Sequence, residues 1–170
     1  MPEGDPLSSL LLTVLLIAVN AFFAMSEIAV ITFNDIKLRH LAEEGDKRAK
    51  ILVNLTEEES KFLSTIQVGV TLAGFFSSAV AADNFTEYVV YWLRDSGIPA
   101  STLRSGSLIL ITLLLSFITL IFGELVPKRI AMNNPEKMSF FAAYPLRIFS
   151  FIAAPFVKLL SVTTNLVLRI

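Results

Sequence analysis

The sequence predicts an all-α integral membrane protein in which three transmembrane helices are accompanied by short interfacial and juxtamembrane helices. Hydrophobic residues make up 54% of the chain and charged residues only 17%, well below the roughly 25% charged residues of a soluble domain. Mean hydropathy is +0.68. The apolar residues gather into three runs, each near the about 20 residues that a spanning helix needs.

The same composition narrows function. With no cysteine and a single histidine, His40, zinc cages, disulfide frameworks, thiol nucleophiles and histidine-based triads are excluded, and the chain is not expected to be an enzyme. A formal net charge of -1 supplies no basic field for a nucleic-acid backbone, and the 14 Phe lie in apolar runs rather than among Arg and Lys, so nucleic acid is not an expected partner.

The first span, about residues 8–33, carries no charge until Glu27. Glu3 and Asp5 precede it where a signal peptide would have Lys or Arg, and its apolar run is too long for one, so it is expected to stay in the mature protein. Residues 35–55 follow as two interfacial helices, Ile36 to Glu43 and Asp46 to Asn54, parted at Gly45. The Thr56 to Glu59 spacing matches a capping box at the entry to the second span. That span covers about 62–82, and the third about 107–127. Together residues 1–134 form the three-span core.

Residues 135–170 are apolar enough to span, but Arg147 and Lys158 would sit at depth, and Pro145 and Pro155 each remove a helix hydrogen bond. Broken amphipathic helices along the cytoplasmic face, forming a juxtamembrane belt, suit those residues better than a fourth span. Lys37, Arg39, Lys47, Arg48, Lys50 and Lys61 follow the first span, and Lys128, Arg129 and Lys137 follow the third. These ends are expected to be cytoplasmic, which places the N-terminus outside and the C-terminus inside a multi-pass cell-membrane protein surrounded by lipid.

Strongly polar groups inside a span cost about 2.5 to 3.5 kcal/mol on insertion scales, so each is a functional candidate. Gln67, Thr71, Gly74 and Ser78 share one face of the second span, either as a close packing surface or as the wall of an ion pathway. In the third span Thr112, Ser116, Thr119 and Gly123 form a similar stripe, with Glu124 about 100° off it; one π-bulge between Thr119 and Glu124 would bring the carboxylate into line. Asn20 and Glu27 share a face of the first span. Ser26 either bonds back to the carbonyl of Phe22 or serves as a ligand.

The run Gly123-Glu124-Leu125-Val126-Pro127-Lys128 is the most informative. Pro127 is a helix break: it lacks an N–H, so the Gly123 oxygen is released from the helical ladder beside the Glu124 carboxylate. Two oxygen donors without nitrogen or sulfur suit a hard cation such as Mg²⁺, Ca²⁺ or Na⁺. The alternative is an interfacial Glu124 paired with Lys128 at i+4.

Asn20-Ala-Phe-Phe-Ala-Met-Ser26-Glu27-Ile-Ala, Leu63-Ser-Thr-Ile-Gln67-Val-Gly69 and Gly123-Glu124-Leu-Val-Pro127-Lys128, in this order and spacing, resemble the transmembrane domain of the CNNM/CorC (CorB) magnesium transporters. The resemblance covers essentially the whole chain. It implies a homodimer of three spans per protomer, Mg²⁺ as the transported ion, export coupled to Na⁺ entry, and a cytoplasmic pair of cystathionine-β-synthase (CBS) modules binding ATP with Mg²⁺ after residue 170. It carries the metal site over to Ser26, Gly123 and Glu124. Family members often have asparagines shortly after the position matching Gly69; this chain reads Gly69-Val-Thr71-Leu-Ala-Gly74, leaving that ligand to Thr71, Ser78, a water or a backbone carbonyl. Two further readings compete with a transporter: a membrane anchor and dimerisation scaffold, and a Mg²⁺ sensor that regulates another transporter.

Overall fold

The computed structural model describes residues 6–95 and 97–167, with side chains except at positions 6, 83, 84 and 165. Glu3, Asp5 and the last three residues of the expected belt lie outside the described residues. In chain order the elements are α1 (Pro6–Thr32), α2 (Asp35–Glu43), α3 (Lys47–Thr56), α4 (Glu59–Leu93), α5 (Ala100–Leu120), a π-helical turn (Ile121–Leu125), α6 (Val126–Asn133) and α7 (Pro135–Val167). No strand occurs among the described residues.

Four stretches are long and apolar enough to cross a membrane: Leu7–Thr32, Glu59–Leu93, Ala100–Asn133 and Pro135–Thr164. The fourth is one more than the sequence predicts. It belongs to α7, which runs as one helix through Pro145 and Pro155 rather than as broken pieces. α4 also exceeds expectation: its 35 residues extend about 50 Å at 1.5 Å per residue, well beyond an about 30 Å hydrocarbon core.

The chain divides into two units, Met1–Ala21 with Thr71–Val126 and Phe22–Val70 with Pro127–Ile170. In the second, α2 starts at Asn34, whose side-chain oxygen accepts from the Lys37 amide at 2.9 Å. It ends at Gly45, where φ is +102°. The Asp46 amide donates to Leu41 and the Gly45 amide to Ala42, a Schellman closure that needs a residue at ease in the left-handed region. Asp46 then caps α3, accepting from the Arg48 and Ala49 amides at 2.7 and 3.2 Å. Its carboxyl is held below the usual carboxylate range by the hydrogen bond from Arg48.

The expected capping box at Thr56 does not form. Thr56 stays in α3 and its hydroxyl donates to the carbonyls of Leu52 and Val53, while Glu58 accepts the first backbone bonds of α4.

The core of the second unit joins Phe23, Val30 and Phe33 to Leu38, Leu52, Phe62, Ile66 and Leu146. Phe23 packs on Phe149 at 4.5 Å between ring centroids and Phe33 edge-on to Phe140 at 5.5 Å, geometries that add to their area burial. In α7 the buried positions Ser139, Ala142, Ala143, Leu146, Ala153 and Val157 recur at helical spacing. The first unit buries Leu103 and Ile111 together with small groups, Thr13, Ala73, Ser77, Ala81 and Ser107, and such small side chains let backbones approach where lipid offers no hydrophobic drive.

Candidate functional site: a carbonyl released at a π turn

The site begins with a fault in the third span. Between Leu120 and Val126 the helix widens into the π turn, and the Val126 amide donates to Ile121, five residues back. This is the extra residue that the phase of Glu124 required. Four residues beyond Gly123 stands Pro127, which offers no donor. The Gly123 carbonyl instead accepts the side-chain amide of Asn20 at 3.0 Å.

Asn20 is only 3% exposed, and its Oδ1 has no hydrogen-bond partner. An unsatisfied buried acceptor costs about 1 to 3 kcal/mol. Gly123 is buried and closely packed: a Cβ there would lie 2.9 Å from Asn20 Nδ2 and 3.3 Å from Thr119 Cγ2, so the neighbouring side chains would have to shift. Thr119 therefore touches the site as a packing methyl. Glu124 follows in the turn, half-buried, so a carbonyl oxygen, an amide oxygen and a carboxylate come from three residues of one unit.

The sequence marks Asn20 as a functional candidate but does not show its bond to Gly123. The signal was available, because a carbonyl released by proline must find a donor, and Asn20 is one of the few amide side chains within the spans.

In the second unit Ser26 is fully buried and donates to the Phe22 carbonyl at 2.6 Å, the back-bonded alternative of the sequence reading. Its oxygen lone pairs are not consumed by that bond. The Glu27 carboxylate lies 3.3 Å from the Lys128 ammonium, each side chain about a quarter exposed at 25% and 28%. Lys128 thus offsets the Glu27 charge.

The second-span stripe divides. Gln67 is exposed, and Thr71, Gly74 and Ser78 are half-buried. A Cβ on Gly74 would meet nothing within 4 Å, so Gly74 is not a close-packing position within the protomer. In the same stretch of α4 the buried residues are Ala73, Ser77 and Ala81 instead. The close approach in this helix is at Gly69, where a Cβ would fall 2.8 Å from the Phe23 ring. No group of three or more His, Cys, Asp or Glu that could hold a metal occurs among the described residues.

Residues 11–170 match the family model described as CNNM, cyclin M transmembrane N-terminal domain. The chain belongs to the CNNM family. This CNNM domain is accordingly a multi-span membrane protein in contact with lipid. A UPF0053 protein of Synechocystis is 34% identical over 155 residues, covering 91% of this chain and 35% of that protein. The UPF0053 inner membrane protein YfjD of Escherichia coli is 27% identical over 151 residues, covering 89% of this chain and 32% of that protein. A protein of Escherichia coli named polyamine export protein is 31% identical over 164 residues, with 96% and 36% covered. The CNNM chain therefore spans about a third of the length of these curated relatives.

Proposed function

We propose that this CNNM domain is a transporter rather than an enzyme, that Mg²⁺ is its substrate, and that export is coupled to Na⁺ entry. The observation that carries the reading is the π turn, where the Gly123 carbonyl, followed four residues on by a proline without an N–H, is next in sequence to Glu124 and a buried Asn20 presents an unpartnered oxygen. Backbone polarity freed at such a turn is tolerated in a membrane only where it is buried in protein or lines a water-filled cavity. Oxygen donors with one carboxylate suit a hard divalent ion that keeps several of its waters, and modest affinity suits release in each cycle. Ser26 is proposed as a further oxygen ligand, and Gln67, Thr71 and Ser78 as pathway lining.

The working form is proposed to be a homodimer with the N-terminus outside, the C-terminus cytoplasmic, and CBS modules following in the full-length protein. The excess of Lys and Arg after the first and third spans supports that orientation.

Full-length protein carrying Glu124→Gln, checked for an intact dimer by size-exclusion chromatography, is expected to lose Mg²⁺ flux in liposomes. Removing the charge leaves dehydration of the ion uncompensated. Wild-type flux from the folded variant would remove Glu124 from the mechanism.

The name of the polyamine export relative supports a second reading, in which the substrate is an organic polycation. Liposomes loaded with spermidine in place of Mg²⁺ separate the two, since only the second predicts spermidine flux.

A further inference from the structure

The second unit contains a polar cavity of its own. Lys47, Lys50 and Asn54 of α3 and Tyr144 and Arg147 of α7 surround a cavity of about 360 Å³ floored by Ile51 and Leu55. Three cationic side chains line it and no carboxylate does. Many other cations of the chain are matched: Lys37 by Glu136, Arg39 by Asp35, Arg48 by Asp46, Lys61 by Glu58 and Lys128 by Glu27. A larger neighbouring cavity holds Lys37, Arg48 and Lys137 but includes Glu136, so its charge is partly met from within.

We propose that the Lys47–Lys50–Arg147 cavity binds the phosphate headgroup of an anionic phospholipid. The fold builds it deliberately. α3 buries Ala49, Ile51 and Leu52 against the core, which turns Lys47, Lys50 and Asn54 to its exposed side. α7 buries Ala142, Ala143 and Leu146 and leaves Tyr144 and Arg147 beside them. Like charges gathered in one cavity repel, and a bound anion relieves that repulsion.

Two features favour a lipid over a soluble anion. After Arg147 the next ten residues of α7, 148–157, carry no charge. Among them Ile148, Phe151 and Ile152 are exposed at 63%, 84% and 67%, an apolar face on which acyl chains can lie. Tyr144 adds a phenol of the kind enriched at headgroup level, and basic pockets beside membrane helices take anionic headgroups.

The test uses the full-length protein in nanodiscs or mixed micelles containing phosphatidylcholine with phosphatidylglycerol, with lipid retention read by native mass spectrometry. Wild type is expected to retain phosphatidylglycerol. Lys47→Gln, Lys50→Gln and Arg147→Gln, which keep the apolar stems and a polar head, are each expected to weaken retention about fivefold. Lys158→Gln, an exposed cation of the same helix outside the cavity, is expected to leave it unchanged. Equal retention in all variants, or an equal loss in Lys158→Gln, overturns the proposal. So does displacement of the lipid by inorganic phosphate or glycerol phosphate at comparable concentration, which would make the occupant a soluble anion.

Discussion

Asn20 and Gly123 are joined across 103 residues of sequence by an amide that donates to a carbonyl at 3.0 Å. The bond ties the first span to the π turn of the third and gives a donor to a carbonyl that proline has stripped of its helical partner. It also leaves the other end of the same amide without a partner, so the junction is satisfied on one side and receptive on the other.

Gly123→Ala tests the fit. The added methyl meets Asn20 Nδ2 at 2.9 Å, and overpacking of this kind costs about 1 to 3 kcal/mol. Thermal unfolding of the purified protein should show that loss, and Asn20→Ala combined with Gly123→Ala should lose less than the sum of the two single changes. Strict additivity would mean the two residues are not coupled.

Asn20→Asp replaces the donor with a second acceptor. Facing the Gly123 carbonyl, the new carboxylate should destabilise the protein by about 1 to 3 kcal/mol without divalent ions. Raising Mg²⁺ should restore stability more in this variant than in wild type, because a cation can bridge the two oxygens. Asn20→Leu should be destabilised and should not respond. A melting temperature in Asn20→Asp that ignores Mg²⁺ would count against a cation at this junction.

Glu27→Gln removes the carboxylate that lies 3.3 Å from the Lys128 ammonium. With both side chains about a quarter exposed, the loss should fall between the less than about 1 kcal/mol of surface pairs and the about 3 to 5 kcal/mol of breaking a buried one. Adding Lys128→Met should recover part of it. Mg²⁺ flux should fall but persist in Glu27→Gln, in contrast to Glu124→Gln; equal losses would place Glu27 among the ligands.

The α3 cap makes acid stability sensitive to Asp46. Its pKa is depressed in the folded protein by the hydrogen bond from Arg48, so its contribution is fully present above the unfolded value of about 3.9 and is lost as pH falls through the lower folded value. Asp46→Asn keeps the cap acceptor and removes the titration. Its acid unfolding curve should therefore be flatter than that of wild type below about pH 4, and an unchanged curve would show that the charge has no part.

What the sequence revealed was whatever left a chemical mark in one segment. The phase slip of Glu124 announced the π turn, Pro127 announced the free carbonyl, and Gly45 between two amphipathic stretches announced the break between α2 and α3. Pairings across segments left no such mark. Gly74 looked like a packing glycine because small residues recur around it, yet Gly69 is the one that faces a ring, since only the neighbouring helix decides which side of α4 is crowded. Thr56 carried the pattern of a cap but remained inside α3, where its hydroxyl found nearer carbonyls. α7 passes through both prolines, with buried residues on either side of each, from Ser139 to Val157.

The separation of Asn20 from Gly123 sets a clock on biosynthesis. Chains grow at about 5 to 20 residues per second, so on the order of ten seconds pass between the emergence of Asn20 and that of its acceptor. Through that interval the first span holds an amide that has no native partner, and whatever inserts it must shelter that group in water or in protein. The first helix can be threaded early, but its place becomes final only when the third arrives.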